Sequence, residues 1–323
     1  MNRIEINAKK LKNKTTIDKI VKGIFLGLTL ISAAIIVVIV VFIFIKGISP
    51  FINDYSIGGE VYRVNLWTFL TGSTWFKTPH IYGAGFIIIN TFYVVILALI
   101  VAVPVSVLTA LFVSKIAPKV LGGAISYIIE ILASIPSIIY GIFGLGVITK
   151  FVERLSLSFG YQSAGGMSTL ATVLVLAIMI IPTITMISLA SINAVKKELI
   201  HGSLALGASP TQTNFKVVLT SAKSGIFSGV ILGVGRALGE ATAVSMVAGN
   251  NGSGPIFNIF NTTRTLTSTM LMGLKETSGL DYDIRFSVGI LLIIVILGTN
   301  IILNIVKRKI GAIRWEKFRS IKI

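Results

Sequence analysis

The sequence has no cysteine and only two histidines. Disulfide frameworks, zinc ribbons, iron–sulfur clusters and thiol catalysis are therefore excluded, and no His-rich metal site is expected. Charge is scarce too. Asp, Glu, Lys and Arg make up 13% of the 323 residues, against about a quarter in a soluble domain. The scarcer sign is negative: 12 Asp and Glu face 29 Lys and Arg, for a formal net charge of +17. What fills the chain is apolar, with 54% hydrophobic residues and a mean hydropathy of +0.90. A water-soluble globule is excluded.

A charge of +17 invites a nucleic-acid reading, but the charges are in the wrong places for one. Seven Lys/Arg lie in residues 1–22 and seven more in 307–323, each group abutting a long apolar run. That is how the flanks of membrane spans look, with a weak attraction to anionic membrane lipid and no nucleic-acid partner. Chemistry-bearing arrangements are missing as well. No paired carboxylates, nucleophile–His pair or metal cluster falls within the apolar runs, so no catalytic residue, metal or cofactor is expected. No Gly-Lys-Ser/Thr occurs, and Gly233-Val234-Gly235 lacks both a preceding strand and the rest of the dinucleotide fingerprint. Any ATP used is bound by another chain.

Six apolar segments are long enough to span, each near the 20 residues that a bilayer requires. They are Gly23–Ile45, Gly85–Val113 with Pro104 as a kink, Val120–Thr149 with Glu130 and a break near Pro136, Ser168–Ala190, Ser224–Gly249, and Phe286–Val306. Gly23–Ile45 is too long for a signal-peptide core and has no small-residue cleavage site after it, so it is expected to be retained. The fold class is all-α, a polytopic membrane protein with six transmembrane helices. The domain plan is a basic N-terminus (1–22), a transmembrane body (23–306) and a basic tail (307–323). Lys/Arg on the side of the termini number 20, against 8 in the opposite loops. Both termini are therefore expected in the cytoplasm, in a multi-pass cell-membrane protein. The opposite loop, 46–83, should be an ordered external lip with Trp67 and Trp75 near the lipid head groups.

Glycine recurs at four-residue spacing in the fifth span, at Gly225, Gly229 and Gly233, as close helix packing requires. The cytoplasmic segment 191–223 carries its own helix punctuation. Asn193–Leu206 suits a helix closed by Gly207, and Ser209-Pro210-Thr211-Gln212 starts the next with a capping box and Pro at the first helical position. Such a hairpin serves either as a lipid-surface element or as a knob that a soluble partner grips.

Glu130, Arg236 and Glu240 lie inside the spans. A bare charge there costs at least about 2.5–3.5 kcal/mol, so each faces protein or a wet cavity. Arg236 lies roughly 20 Å along its helix from Lys223, and Glu130 about 16 Å from Lys119. On one helix, Arg236 and Glu240 would share a face. They form either a structural ion pair or a site in which Arg236 binds a passing oxyanion and Glu240 orients it and keeps it from trapping the cargo. Glu240 accepting a proton would favour hydrogen phosphate over sulfate. Glu130 is either an interhelical partner of Arg236 or part of the path.

The cytoplasmic hairpin resembles the coupling loop of ABC importer permeases, whose pattern is Glu-Ala-Ala, three residues, Gly, nine residues, Ile-x-Leu-Pro. Gly207 and Leu219 match it, while His201, Gly202 and Ser203 stand at the Glu-Ala-Ala positions and Thr220 at the Pro. The resemblance implies that this loop inserts into an ATPase subunit, with Glu198 substituting for the missing acid. Gly235-Arg236-Ala237-Leu238-Gly239-Glu240-Ala241-Thr242 and Ile129-Glu130-Ile131-Leu132-Ala133-Ser134-Ile135-Pro136-Ser137 are similar to the PstC-type permease subunit of the phosphate importer. That resemblance implies a type I ABC importer permease fold. It also implies a PstA-like second permease subunit, an ATPase subunit dimer and an extracytoplasmic phosphate-binding protein as partners. Competing readings are a permease for sulfate, molybdate or a phosphonate, and an ion-coupled secondary carrier, for which inverted repeats would be expected.

Overall fold

The structure is a computed structural model that describes the backbone of residues 3–319 and the side chains of residues 18–310. The expected basic segments, 1–22 and 307–323, therefore lie partly outside the described side chains.

Helix α1 (Arg3–Ile52) carries the first apolar run. Its hydroxyls turn inward on their own backbone: Thr29 donates to the Phe25 carbonyl and Ser32 to that of Leu28. This satisfies them where no water does. The helix continues past Lys46, so the expected loop starts only after Ile52. There the chain makes two small hairpins and one short helix: β1 (Tyr55–Ile57) with β2 (Glu60–Tyr62), α2 (Leu66–Thr71), and β3 (Trp75–Phe76) with β4 (Ile81–Tyr82). The Asn65 side chain starts α2 by accepting the N–H groups of Trp67 and Thr68. This lip is ordered, but one expectation for it fails. Trp67 is exposed, whereas Trp75 is only 7% exposed and packs edge-on against Tyr82 beside Phe69 and Phe86. The lip has a core of its own, and Trp75 belongs to that core rather than to a lipid interface.

Helix α3 (Gly85–Lys115) runs through Pro104. The third apolar segment is α4 (Lys119–Ser134), α5 (Ser137–Phe143), a π-helical turn (Gly144–Ile148) and α6 (Thr149–Ser158). It bends by 96° between Ser134 and Ser137, where Pro136 removes a backbone donor and restricts Ile135 to an extended conformation. The Tyr140 hydroxyl donates to the Leu132 carbonyl at 2.7 Å and bridges the break.

Helix α7 (Thr169–Asn193), capped by Ser168, is the centre of the bundle and packs along α3. Its Leu176, Met179, Ile180 and Ile184 are fully buried. After α8 (Lys197–Ala205), α9 (Pro210–Gln212) passes through a π-helical turn (Thr213–Val218) into α10 (Leu219–Gly239). The expected second hairpin helix is thus the first turn of one 30-residue rod, Pro210–Gly239. Burial against lipid gains little between helices in a membrane, so close packing must hold them. The glycine stripe supplies it. A Cβ on Gly229 would come within 3.2 Å of Ile187, and one on Gly233 within 2.8 Å of Ile184, so α10 lies directly on α7.

The fifth segment ends sooner than expected. α10 stops at Gly239, and α11 (Thr242–Val247) is a separate short helix. A looped stretch leads to α12 (Leu266–Leu271) and then to α13 (Leu280–Arg319). The end of α1 meets the start of α13: Ser287 donates to the Gly47 carbonyl, and Lys46 pairs with Asp283 at 3.2 Å. Both terminal helices therefore lead away from the lip. Among the described residues, five helices are long and apolar enough to cross a membrane, and the bent α4–α6 arm is a sixth crossing when it is counted as one broken span.

Candidate functional site

Two helix breaks face each other in the middle of the molecule. α5, just after the bend at Pro136, packs on α11, just after the stop at Gly239. Contact is close, since a Cβ on Gly141 would lie 3.0 Å from the Ala243 Cα. Broken helices leave backbone groups unpaired within the membrane, which is tolerated only where protein or a wet cavity receives them.

Arg236 lies in the last turn of α10 beside this junction and is half-buried. Its Nη1 donates to Thr183 Oγ1 on α7 at 2.9 Å. Among the described residues no carboxylate lies within ion-pair distance of it. Of the two readings of Arg236 and Glu240, the structural ion pair on one helix face is not formed, because the helix ends between them. The Glu240 backbone is extended (ψ 114°), which ends α10 there, and its carboxylate is engaged by the backbone of α11 instead. Its Oε1 accepts the Ala243 N–H at 3.0 Å, and its carbonyl accepts the Thr267 hydroxyl at 2.7 Å. Glu240 is 8% exposed and stands one residue before Ala241, the N-cap of α11, where negative charge is favoured. Glu130 is not Arg236's partner either. It sits on the exposed face of α4 with no hydrogen bond or ion pair among the described residues.

Among the described residues the result is a cation with one of its five donors in use. Such a guanidinium can take a bidentate oxyanion, and the hydroxyl of Thr183 holds one of its nitrogens. Residue reading missed Thr183 and Thr267. Their signal was faint, a hydroxyl three residues from Met186 on an apolar helix and one member of the polar run Thr262–Thr269.

At the end opposite the lip, Glu198, His201, Gly202 and Ser203 lie together on α8 with no buried residue on that helix. Gly207 ends it with a positive φ of 84°. Ser209 and Gln212 form both halves of the capping box, and Ser203 Oγ lies 3.0 Å from Thr213 Oγ1, tying the two arms. Between the arms Leu206 projects, 90% exposed. Leu219 is not part of this tip. It packs at the base against Ile192, Val218 and Ala222 and anchors the knob to the bundle.

Residues 102–312 match the family described as binding-protein-dependent transport system inner membrane component. A probable ABC transporter permease protein, YqgH of Bacillus subtilis, is 36% identical over 82% of each chain. The phosphate transport system permease protein PstC of Pasteurella multocida is 34% identical over 78% of this chain and 82% of its own. Among solved structures, a bacterial alginate ABC transporter matches with a TM-score of 0.58 at 16% identity, covering 87% of this chain and 94% of the other. The MetNI methionine ABC transporter matches at 0.52 and 19%, covering 76% and 97%. These two share the fold, a type I ABC importer permease. The chain belongs to the family of binding-protein-dependent transport system inner membrane components, as a PstC-type permease subunit of an ABC importer.

Proposed function

We propose that this permease subunit translocates inorganic phosphate inward, taking it from an extracytoplasmic binding protein and using ATP hydrolysed by a separate ATPase dimer. The observation that carries the cargo reading is Arg236: a half-buried guanidinium, one donor held by Thr183, no carboxylate in reach among the described residues, at the meeting of two broken helices. The relatives named PstC support phosphate as the oxyanion.

In this reading the basic flanks keep both termini in the cytoplasm and the lip faces outward. The α8 knob, exposed and apolar at Leu206, enters the ATPase subunit, with Glu198, His201, Gly202, Ser203 and Gly207 at the contact and Leu219 as its anchor. The exposed face of α4 turns Glu130 toward a path shared with a PstA-like subunit. Glu240 acts by capping α11 and setting the break, so it positions Arg236 without neutralising it. The mechanism is alternating access, with motion of the knob transmitted through the continuous rod Pro210–Gly239 to Arg236 at its far end. Arg236→Gln is expected to abolish ATP-dependent phosphate uptake in vesicles containing the assembled transporter, while Arg236→Lys retains a weak rate. Uptake by Arg236→Gln at the parental rate would overturn the reading.

A further inference from the structure

Lip-ward of Glu240, the chain folds back on itself between α11 and α12. Gly249 bridges Thr263 in parallel, the Asn250 N–H donates to the Thr263 carbonyl at 3.0 Å, and Arg264 Nη2 donates to the Asn250 carbonyl at 2.8 Å. Seven buried side-chain polar atoms among the described residues have no hydrogen-bond partner, and three of them fall on these joined residues: Asn250 Oδ1, Thr263 Oγ1 and Arg264 Nε. Buried polar atoms are rarely left unpaired, so three at one fold point to something they receive.

The chemistry of the three is specific. Arg264 offers Nε–H and its remaining Nη–H groups, Thr263 offers a hydroxyl, and Asn250 offers an acceptor. No carboxylate within ion-pair distance neutralises Arg264 among the described residues. Asp281 is engaged by Lys77 and His80, and Asp283 by Lys46. A second guanidinium, Arg285, donates to the Thr269 carbonyl on α12 at 2.7 Å and adds positive charge nearby. Burial, and after it the Arg285 charge, push the Arg264 guanidinium down to about 10. A cation held against that cost favours an anion beside it.

We propose that Arg264, Thr263 and Asn250 form a second, outer station that holds a protonated tetrahedral oxyanion before it reaches Arg236. The donors of Arg264 and Thr263 bind the oxygens, and Asn250 Oδ1 accepts the O–H that hydrogen phosphate carries and sulfate lacks. The station lies on the way in. The Trp75 N–H donates to the Gly252 carbonyl, which ties this fold to the lip, and Thr267, three residues beyond Arg264, bonds to Glu240 at the break above Arg236. The choice of phosphate rests on the proposed function, whereas the presence of an anion site does not.

The test is equilibrium binding of labelled phosphate, sulfate and molybdate to the assembled, nucleotide-free transporter in nanodiscs without binding protein. Arg264→Gln is expected to weaken phosphate binding roughly tenfold or more, as loss of a charge-assisted contact does, in a transporter that still assembles. Thr263→Val, which keeps the shape, should weaken it less, and it decides the matter if Arg264→Gln does not assemble. Parental binding in either assembled variant overturns the station. Sulfate bound as tightly as phosphate overturns the role of Asn250. If only molybdate binds, and does so through Arg264, the phosphate reading fails and the anion site stands. If the parental transporter binds no oxyanion, the station is overturned.

Discussion

Arg236 and Glu240 are four residues apart and do different work. Arg236 has no ion-pair partner among the described residues and hydrogen-bonds through one nitrogen to Thr183. Glu240 spends one oxygen on the Ala243 N–H. Glu240→Gln retains that acceptor, so it is expected to preserve the fold and most phosphate uptake, while Glu240→Ala loses roughly 1 kcal/mol of capping and a larger share of uptake. Thermal unfolding and vesicle uptake of the two variants check this, and equal loss in both would contradict a capping role. At the lip, Tyr55 is pushed up to about 12, chiefly by burial and further by its hydrogen bond to Asp283, with Ser49 acting in the opposite sense. The folded state thus prefers the neutral phenol. Its contribution to stability is complete below pH 10 and is lost as pH rises from 10 through about 12. Tyr55→Phe should remove that alkaline loss, read as the pH dependence of the melting temperature.

At the scale of elements, α7 and α10 hold the bundle by close approach. Gly229→Leu puts a branched side chain where even a Cβ meets Ile187 at 3.2 Å and the Ile184 carbonyl at 3.3 Å. A destabilisation of about 1–3 kcal/mol is expected from overpacking, read by thermal unfolding in detergent. An unchanged midpoint would place the contact elsewhere. The stripe at Gly225, Gly229 and Gly233 was legible in the sequence because close helix contact tolerates little else. The capping box at Ser209 and Gln212 was legible because it is a purely local device. The stop after Gly239 was not. No proline marks it, and Glu240 looks like an ordinary i,i+4 partner until the backbone at that residue is seen to be extended. Pro136 announced the other break, but a proline inside α3 and another inside α7 leave those helices continuous, so proline alone does not tell a break from a passage. Trp75 was misplaced for a similar reason, since aromatic residues near a span suit an interface and a small soluble core equally well.

At the scale of the whole molecule, the proposed coupling has a continuous helical route to follow. The knob on α8 is joined by Ser203 and Thr213 to the foot of a single helical rod, and Arg236 lies near the far end of that rod. Leu206→Asp changes only a side chain that is 90% exposed. It is expected to leave the melting temperature of the isolated chain unchanged and to weaken association with the ATPase subunit. The decisive measurement is ATP-dependent uptake of labelled phosphate into vesicles holding the complete transporter, challenged with excess unlabelled sulfate. Uptake is expected to require ATP and to be unaffected by sulfate. Uptake that proceeds without ATP, or that sulfate displaces, would contradict an ATP-driven phosphate permease built around Arg236.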